Sequence, residues 1–172
     1  MFVELGHFAL ILALLMSAAR AFFGLAGSHW QKPAWLAVVP SAVAGQFVFL
    51  LLAVGSLIYA FVGNDFSVLY VASNSNSALP TFFRVAALWG AHEGSLLLWI
   101  FVLCLWTVAV AARSHRLPPA FAARVLGVLG VVSFGFMLFT LATSNPFERL
   151  IPAALDGRDL NPLLQDFALA IH

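Results

Sequence analysis

Residues Trp89–Trp99 read WGAHEGSLLLW, which sets a histidine and a glutamate side by side at the entry to a strongly apolar run. An imidazole can carry a proton or ligate a metal near neutral pH, and a carboxylate beside it can orient the ring. His92 and Glu93 are therefore candidate chemical residues. They also have a purely structural reading: Gly90 and Gly94 permit a tight turn or close backbone approach, and an acid near a helix N-terminus is favoured by the helix dipole. His172 ends the apolar rise FALAIH, and His7 lies one turn inside the first apolar stretch beside Glu4, where packing is the expected role. Arg149 and Arg158 carry planar guanidinium groups suited to bidentate carboxylate recognition, on a ligand or on a protein partner. The default for both is internal pairing with Glu148, Asp156 or Asp166. His29 and His115 stand among cations in short connections and read as solvated or interfacial.

The elements that position these residues follow from the solvent. With 63% hydrophobic residues, 9% charged residues and a mean hydropathy of +1.01, the chain cannot be an ordinary water-soluble domain, which carries about a quarter charged residues. The fold class is all-α, a polytopic membrane protein with about four transmembrane helices. Spans are expected at 5–26, 35–62, 94–112 and 125–143, each able to cross about 30 Å of hydrocarbon. Glu4 stands where a cleaved signal would carry basic residues, so the first stretch reads as a retained helix. Arg20, near the end of that helix, is expected to extend its guanidinium into the headgroups. Pro40 and Gln46 predict a kink and an interhelical hydrogen bond in the second span. The lone Cys104 supports neither a disulfide framework nor a thiol–zinc site, and without Cys-x-x-Cys-His the chain is not itself a c-type cytochrome.

Charge sets the topology. Arg20, Lys32, Arg113, Arg116 and Arg124 flank the first and third connections with no acid among them, which predicts that those connections are cytoplasmic. All seven acids fall on the other side, with the loop 64–93, the tail 144–172 and both chain ends. Asn64–Asp65 predicts a turn, and LPTFFRVAALW has the apolar spacing of an interfacial helix, with Arg84 toward the headgroups. The short connections SHWQKP and RSHRLPP are punctuated by proline, with Pro118 and Pro119 near the start of the fourth span.

ELGHFALILAL, YVASNSNSALP, LWGAHEGSLLLW, TSNPFERLIPA and DGRDLNPLLQD occur here in the order in which similar segments open the membrane haem lyases of cytochrome c maturation. The chain resembles that family, with the nitrite reductase assembly subunit as a close relative. The resemblance implies haem as cofactor of the complete assembly. It implies His172 as a candidate axial ligand to the haem iron, with His92 and Glu93 as weaker candidates and Arg149 and Arg158 as contacts for propionates or a partner. The partners it implies are the remainder of the haem lyase, a membrane haem chaperone, thiol-handling maturation subunits, apocytochrome c and the lipid bilayer, with no nucleic acid. The location it implies is the bacterial inner membrane, or the mitochondrial inner membrane if organellar. Family members continue past His172 into a proline-rich segment and a tryptophan-rich outer loop, and show proline and glycine where this chain has Phe167 and Ala168. The chain therefore reads as the N-terminal portion, a split-gene subunit or a truncated product, inactive in haem attachment alone. The alternatives are a small transporter subunit, with Arg20 and Gln46 marking its path, and a structural assembly subunit with no cofactor contact.

Overall fold

The computed structural model describes residues 1–168, so His172 lies outside the described residues. In chain order the helices are α1 (Phe2–His29), α2 (Pro33–Leu36), α3 (Val38–Val62), α4 (Leu69–Asn74), α5 (Thr81–Ala86), α6 (His92–Arg113) and α7 (Pro119–Thr143). Single 3-10 turns occupy Ala87–Trp89, Ser114–Arg116 and Pro162–Gln165. Among the described residues β pairing is limited to one antiparallel bridge, Val68 with Arg149. Four helical segments, α1, α2 with α3, α6 and α7, are long and apolar enough to cross a membrane, as a chain needs when lipid offers no partner for its backbone N–H groups.

Most helices run past the apolar stretches that predict them, because the backbone ladder continues through polar end residues. α7 begins six residues early, at Pro119, where the Pro118 carbonyl accepts from the amides of Phe121 and Ala122 at 3.0 Å. The second span is broken as Pro40 predicts, although the break falls at Ala37. Proline has no N–H to give the Leu36 carbonyl four residues back, and its ring crowds that carbonyl.

The chain divides into two compact units, to which the long helices contribute separate stretches. The first comprises Met1–Phe8, Leu52–Leu98 and the chain from Thr140 onward. Here the loop 64–93 and the C-terminal segment are laced together along their length. The Leu69 amide bonds Glu148 O at 2.9 Å, Leu150 bonds Ser67 O at 2.8 Å, and Arg158 bonds Ala72 O at 2.8 Å. Ser77 donates from both its amide and Oγ to Asp156, at 2.9 and 2.7 Å, and Asn76 Nδ2 donates to Asp159 at 2.6 Å. The approach is so close at Gly157 that an added Cβ would lie 1.8 Å from the Ser75 carbonyl. Asn64 takes a positive φ of 52° in the turn expected there. The segment read as an interfacial helix folds as α5 and the turn after it, burying Ala86, Ala87 and Leu88. The half-buried Arg84 guanidinium donates to the carbonyls of Leu79 at 2.7 Å and Ser77 at 2.8 Å.

The second unit comprises Ala9–Leu51 and Trp99–Phe139. Val39, Val43, Ala123 and Leu126 form a buried cluster with Phe23, Leu36 and Val108 against it. Glycine lets α1 and α7 touch, since a Cβ on Gly24 would lie 2.6 Å from the Ala123 carbonyl and 2.9 Å from Gly127 Cα. Arg20 corrects the sequence expectation. It is 0% exposed and donates from Nη2 to Ser133 Oγ at 3.1 Å, while Nε and Nη1 have no partner among the described residues. The reason is helix phase: Ala13, Ser17 and Arg20, at i, i+4 and i+7, share the buried face of α1. Gln46 is buried as well, yet among the described residues neither amide atom finds the interhelical hydrogen bond expected of it.

Candidate functional site

The candidate site residues within the described chain all belong to the first unit, and the entry to α6 is its most constrained part. Tyr70, on α4, sends its hydroxyl to that entry, donating to the Leu88 carbonyl at 3.0 Å and accepting from the Ala91 amide at 3.2 Å. Burial pushes that hydroxyl's pKa up, so it stays protonated and works as a hydrogen-bonding post. Gly94 fits only because it lacks a side chain: a Cβ there would lie 1.8 Å from Leu88 O and 2.6 Å from the Tyr70 hydroxyl. This is the close backbone approach that the glycine pattern suggests. Tyr70 itself is invisible to sequence reasoning, because one tyrosine in a β-branched run carries no signal of what it will touch.

His92 and Glu93 open α6, and neighbouring positions on a helix point about 100° apart. His92 is exposed. Glu93 is half-buried and faces a cavity of about 170 Å³ together with Glu148, Asn74 and Asn145. His7, half-buried, stacks on Phe147 with ring centroids 6.2 Å apart, and its Nε2 lies 3.4 Å from Asn145 Nδ2 at the edge of the same group. An imidazole, two amides and two carboxylates therefore stand near one another.

The two arginines part company. Arg149 is held by the protein: its Nε donates to Glu4 Oε1 at 3.0 Å, its Nη2 donates to the same oxygen, and its Nη1 donates to Ser67 Oγ and to Asp65 Oδ2 at 3.5 Å. Hydrogen bonding to Glu4 raises its pKa further, so it is a permanent cation. Internal pairing was the default, but the partners are Glu4 and Asp65 in place of Glu148, Asp156 or Asp166, because the Val68–Arg149 bridge brings residue 149 beside the turn at Asp65. Among the described residues Arg158 is tied through its backbone, and its side chain is exposed. The Asp156 carboxyl is held below its ordinary pKa by the Ser77 hydroxyl and amide.

Among the described residues no group of three His, Cys, Asp or Glu side chains is placed to hold a metal ion. A 170 Å³ cavity is also below the roughly 300–1,000 Å³ of small-molecule sites. What the described residues of this unit offer around the cavity is a polar, acid-bearing surface, with the exposed guanidinium of Arg158 elsewhere in the same unit.

Residues 89–172 match the family model described as Cytochrome C assembly protein, a stretch that opens at the Trp89–Glu93 corner. Over its whole length the chain is 52% identical to the cytochrome c-type biogenesis protein CcmF of Pseudomonas aeruginosa. The chain belongs to the CcmF family. It spans 26% of that relative and 27% of the CcmF of Escherichia coli, to which it is 48% identical, again over all of its length. The protein NrfE of Haemophilus influenzae is 44% identical over the whole chain, which covers 27% of it. Among solved structures, a protein described as cytochrome c heme lyase CcmF shares the fold with a TM-score of 0.84 at 26% identity, covering 100% of this chain and 27% of that one. As a member of the CcmF family with four candidate spans, the chain is a multi-pass membrane protein.

Proposed function

We propose that this chain is the N-terminal portion of a cytochrome c haem lyase of the CcmF type, helping transfer haem from a membrane haem chaperone to apocytochrome c. The end-to-end alignment with CcmF proteins at up to 52% identity carries this reading. The location is the inner membrane, with both chain ends, the loop 64–93 and the tail 144–172 on the outer side as one membrane domain. The clustering of all seven acids on that side supports the orientation. The partners are the remainder of the lyase, the chaperone, thiol-handling maturation subunits and apocytochrome c.

His172 is proposed as an axial ligand to the haem iron in the complete assembly. Arg158, whose guanidinium is exposed, suits a propionate or a partner's carboxylate better than Arg149, whose donors are already engaged. His92 and Glu93 keep a secondary place, the first through its exposure and the second through the acid-lined cavity. The deciding experiment expresses the chain in a strain lacking its own lyase, with and without the downstream segment of a CcmF protein. Holocytochrome is expected only with both pieces, and its formation from this chain alone would overturn the portion reading. In the reconstituted assembly His172→Ala is expected to lower bound haem and shift its absorption spectrum, while His115→Ala leaves both unchanged. Equal haem and identical spectra at matched protein levels would remove His172 from the mechanism.

A further inference from the structure

The second unit holds a site that the haem lyase reading does not use. Between the first connection and the turn after α6 lies an apolar recess of about 390 Å³, walled by Leu36 and Val39 on one side and by Leu117, Ala122 and Leu126 on the other. A second apolar recess, of about 430 Å³, adjoins it across the same turn, sharing Ser114 and Leu117 and bordered by Arg113 and the exposed Trp106. The Ser114–Pro118 connection joins two candidate membrane spans, which places both recesses at the depth where acyl chains meet headgroups.

The charge around them is of one sign. Lys32, Arg113, Arg116 and Arg124 belong to this unit, and no aspartate or glutamate occurs anywhere in 9–51 or 99–139. Among the described residues no ion pair joins Lys32, Arg113, Arg116 or Arg124 to a carboxylate. Arg124 bonds Ser28 Oγ at 3.3 Å and Lys32 lies 4.7 Å from the Trp35 ring, contacts that hold the cations in place without neutralising them. Arg113 and Arg116 are exposed on the turn between the two recesses.

We propose that this end of the bundle is a binding site for one anionic phospholipid, its phosphate held by Arg113 and Arg116 and its acyl chains seated in the two recesses. A general excess of cations explains orientation and attracts any anionic surface. Paired apolar recesses on either side of a dibasic turn add what a diffuse field lacks, a shape matched to a two-chain amphiphile. An acidic protein segment would satisfy the charge but would leave apolar recesses at acyl depth unfilled.

The test uses the whole chain in nanodiscs of phosphatidylcholine, with and without phosphatidylglycerol. Thermal unfolding is followed by tryptophan fluorescence, and retained lipid is read by native mass spectrometry. Phosphatidylglycerol is expected to raise the midpoint by several degrees and to leave one molecule bound. Ala122→Phe fills the 390 Å³ recess, and Ala37→Phe narrows it from the other connection. Arg113→Gln with Arg116→Gln removes the phosphate contacts at two exposed positions, while Lys32 and Arg124 keep the cationic character of this side. Each change is expected to abolish both the shift and the retained lipid while helix content in phosphatidylcholine is unchanged. Equal midpoints in the two lipids would overturn the site. So would a phosphatidylglycerol effect that survives both phenylalanine variants, which would mean charge attraction alone.

Discussion

Arg20 and Gly157 are the residues where the structure makes the sharpest demands. Burying an unpaired charge costs several kcal/mol, and replacing buried ionic groups by apolar ones of similar volume is often neutral or stabilising by about 1–4 kcal/mol. Arg20 keeps one hydrogen bond, to Ser133, and has no acid in its unit. Arg20→Met is therefore expected to raise the thermal midpoint of the chain in detergent, and a fall would show that the guanidinium is compensated within the bundle. Gly157→Ala is expected to act in the opposite direction. Its Cβ would overlap the Ser75 carbonyl at 1.8 Å, and relieving such overpacking by backbone shifts typically costs about 1–3 kcal/mol. Limited proteolysis of the loop 64–93 in the variant should be faster than in the parent, and an unchanged rate would mean that the lacing is loose there.

At the scale of elements, the loop 64–93 and the C-terminal segment act as one piece held by hydrogen bonds to side chains at Asp156 and Asp159. Because the folded Asp156 carboxyl titrates below its ordinary value, its contribution is fully present above that ordinary value and is lost as pH falls through the lower one. Acidification below the usual carboxylate range should therefore open the loop to protease, and Asp156→Asn should show the open behaviour already at neutral pH. A second element-scale expectation concerns the break between α2 and α3. Pro40→Ala restores an N–H able to reach the Leu36 carbonyl, so helix content by circular dichroism should rise slightly. No change would place the cause of the break in the packing of Trp35.

For the whole molecule the testable matter is orientation. Ser28 and Ser75 are buried and unsuited to labelling, whereas Pro118 and Ala78 are exposed on the two opposite connections. In a Cys104→Ala background, Ala78→Cys should react with an impermeant outer thiol reagent and Pro118→Cys should not, and the reverse pattern would invert the topology. The sequence alone settles the class of molecule. A 63% hydrophobic chain with 9% charge must place its surface in lipid, and apolar runs long enough to span leave helices as their form. It also gives the turn at Asn64, and it narrows the entry to α6 to a tight turn or a close approach at Gly90 and Gly94, because each depends on a local backbone property of one residue type. What only the tertiary structure decides is the partner of each polar group. Arg20 turns inward because of its phase on α1, and Arg149 takes Glu4 because residues 68 and 149 pair. Tyr70 becomes the post of the α6 entry because α4 packs there, and Glu93 lines a cavity shared with Glu148, 55 residues further along the chain. Local propensity acts within a few residues of the chain, whereas a hydrogen-bond partner is chosen by whichever distant segment packing brings within about 3 Å.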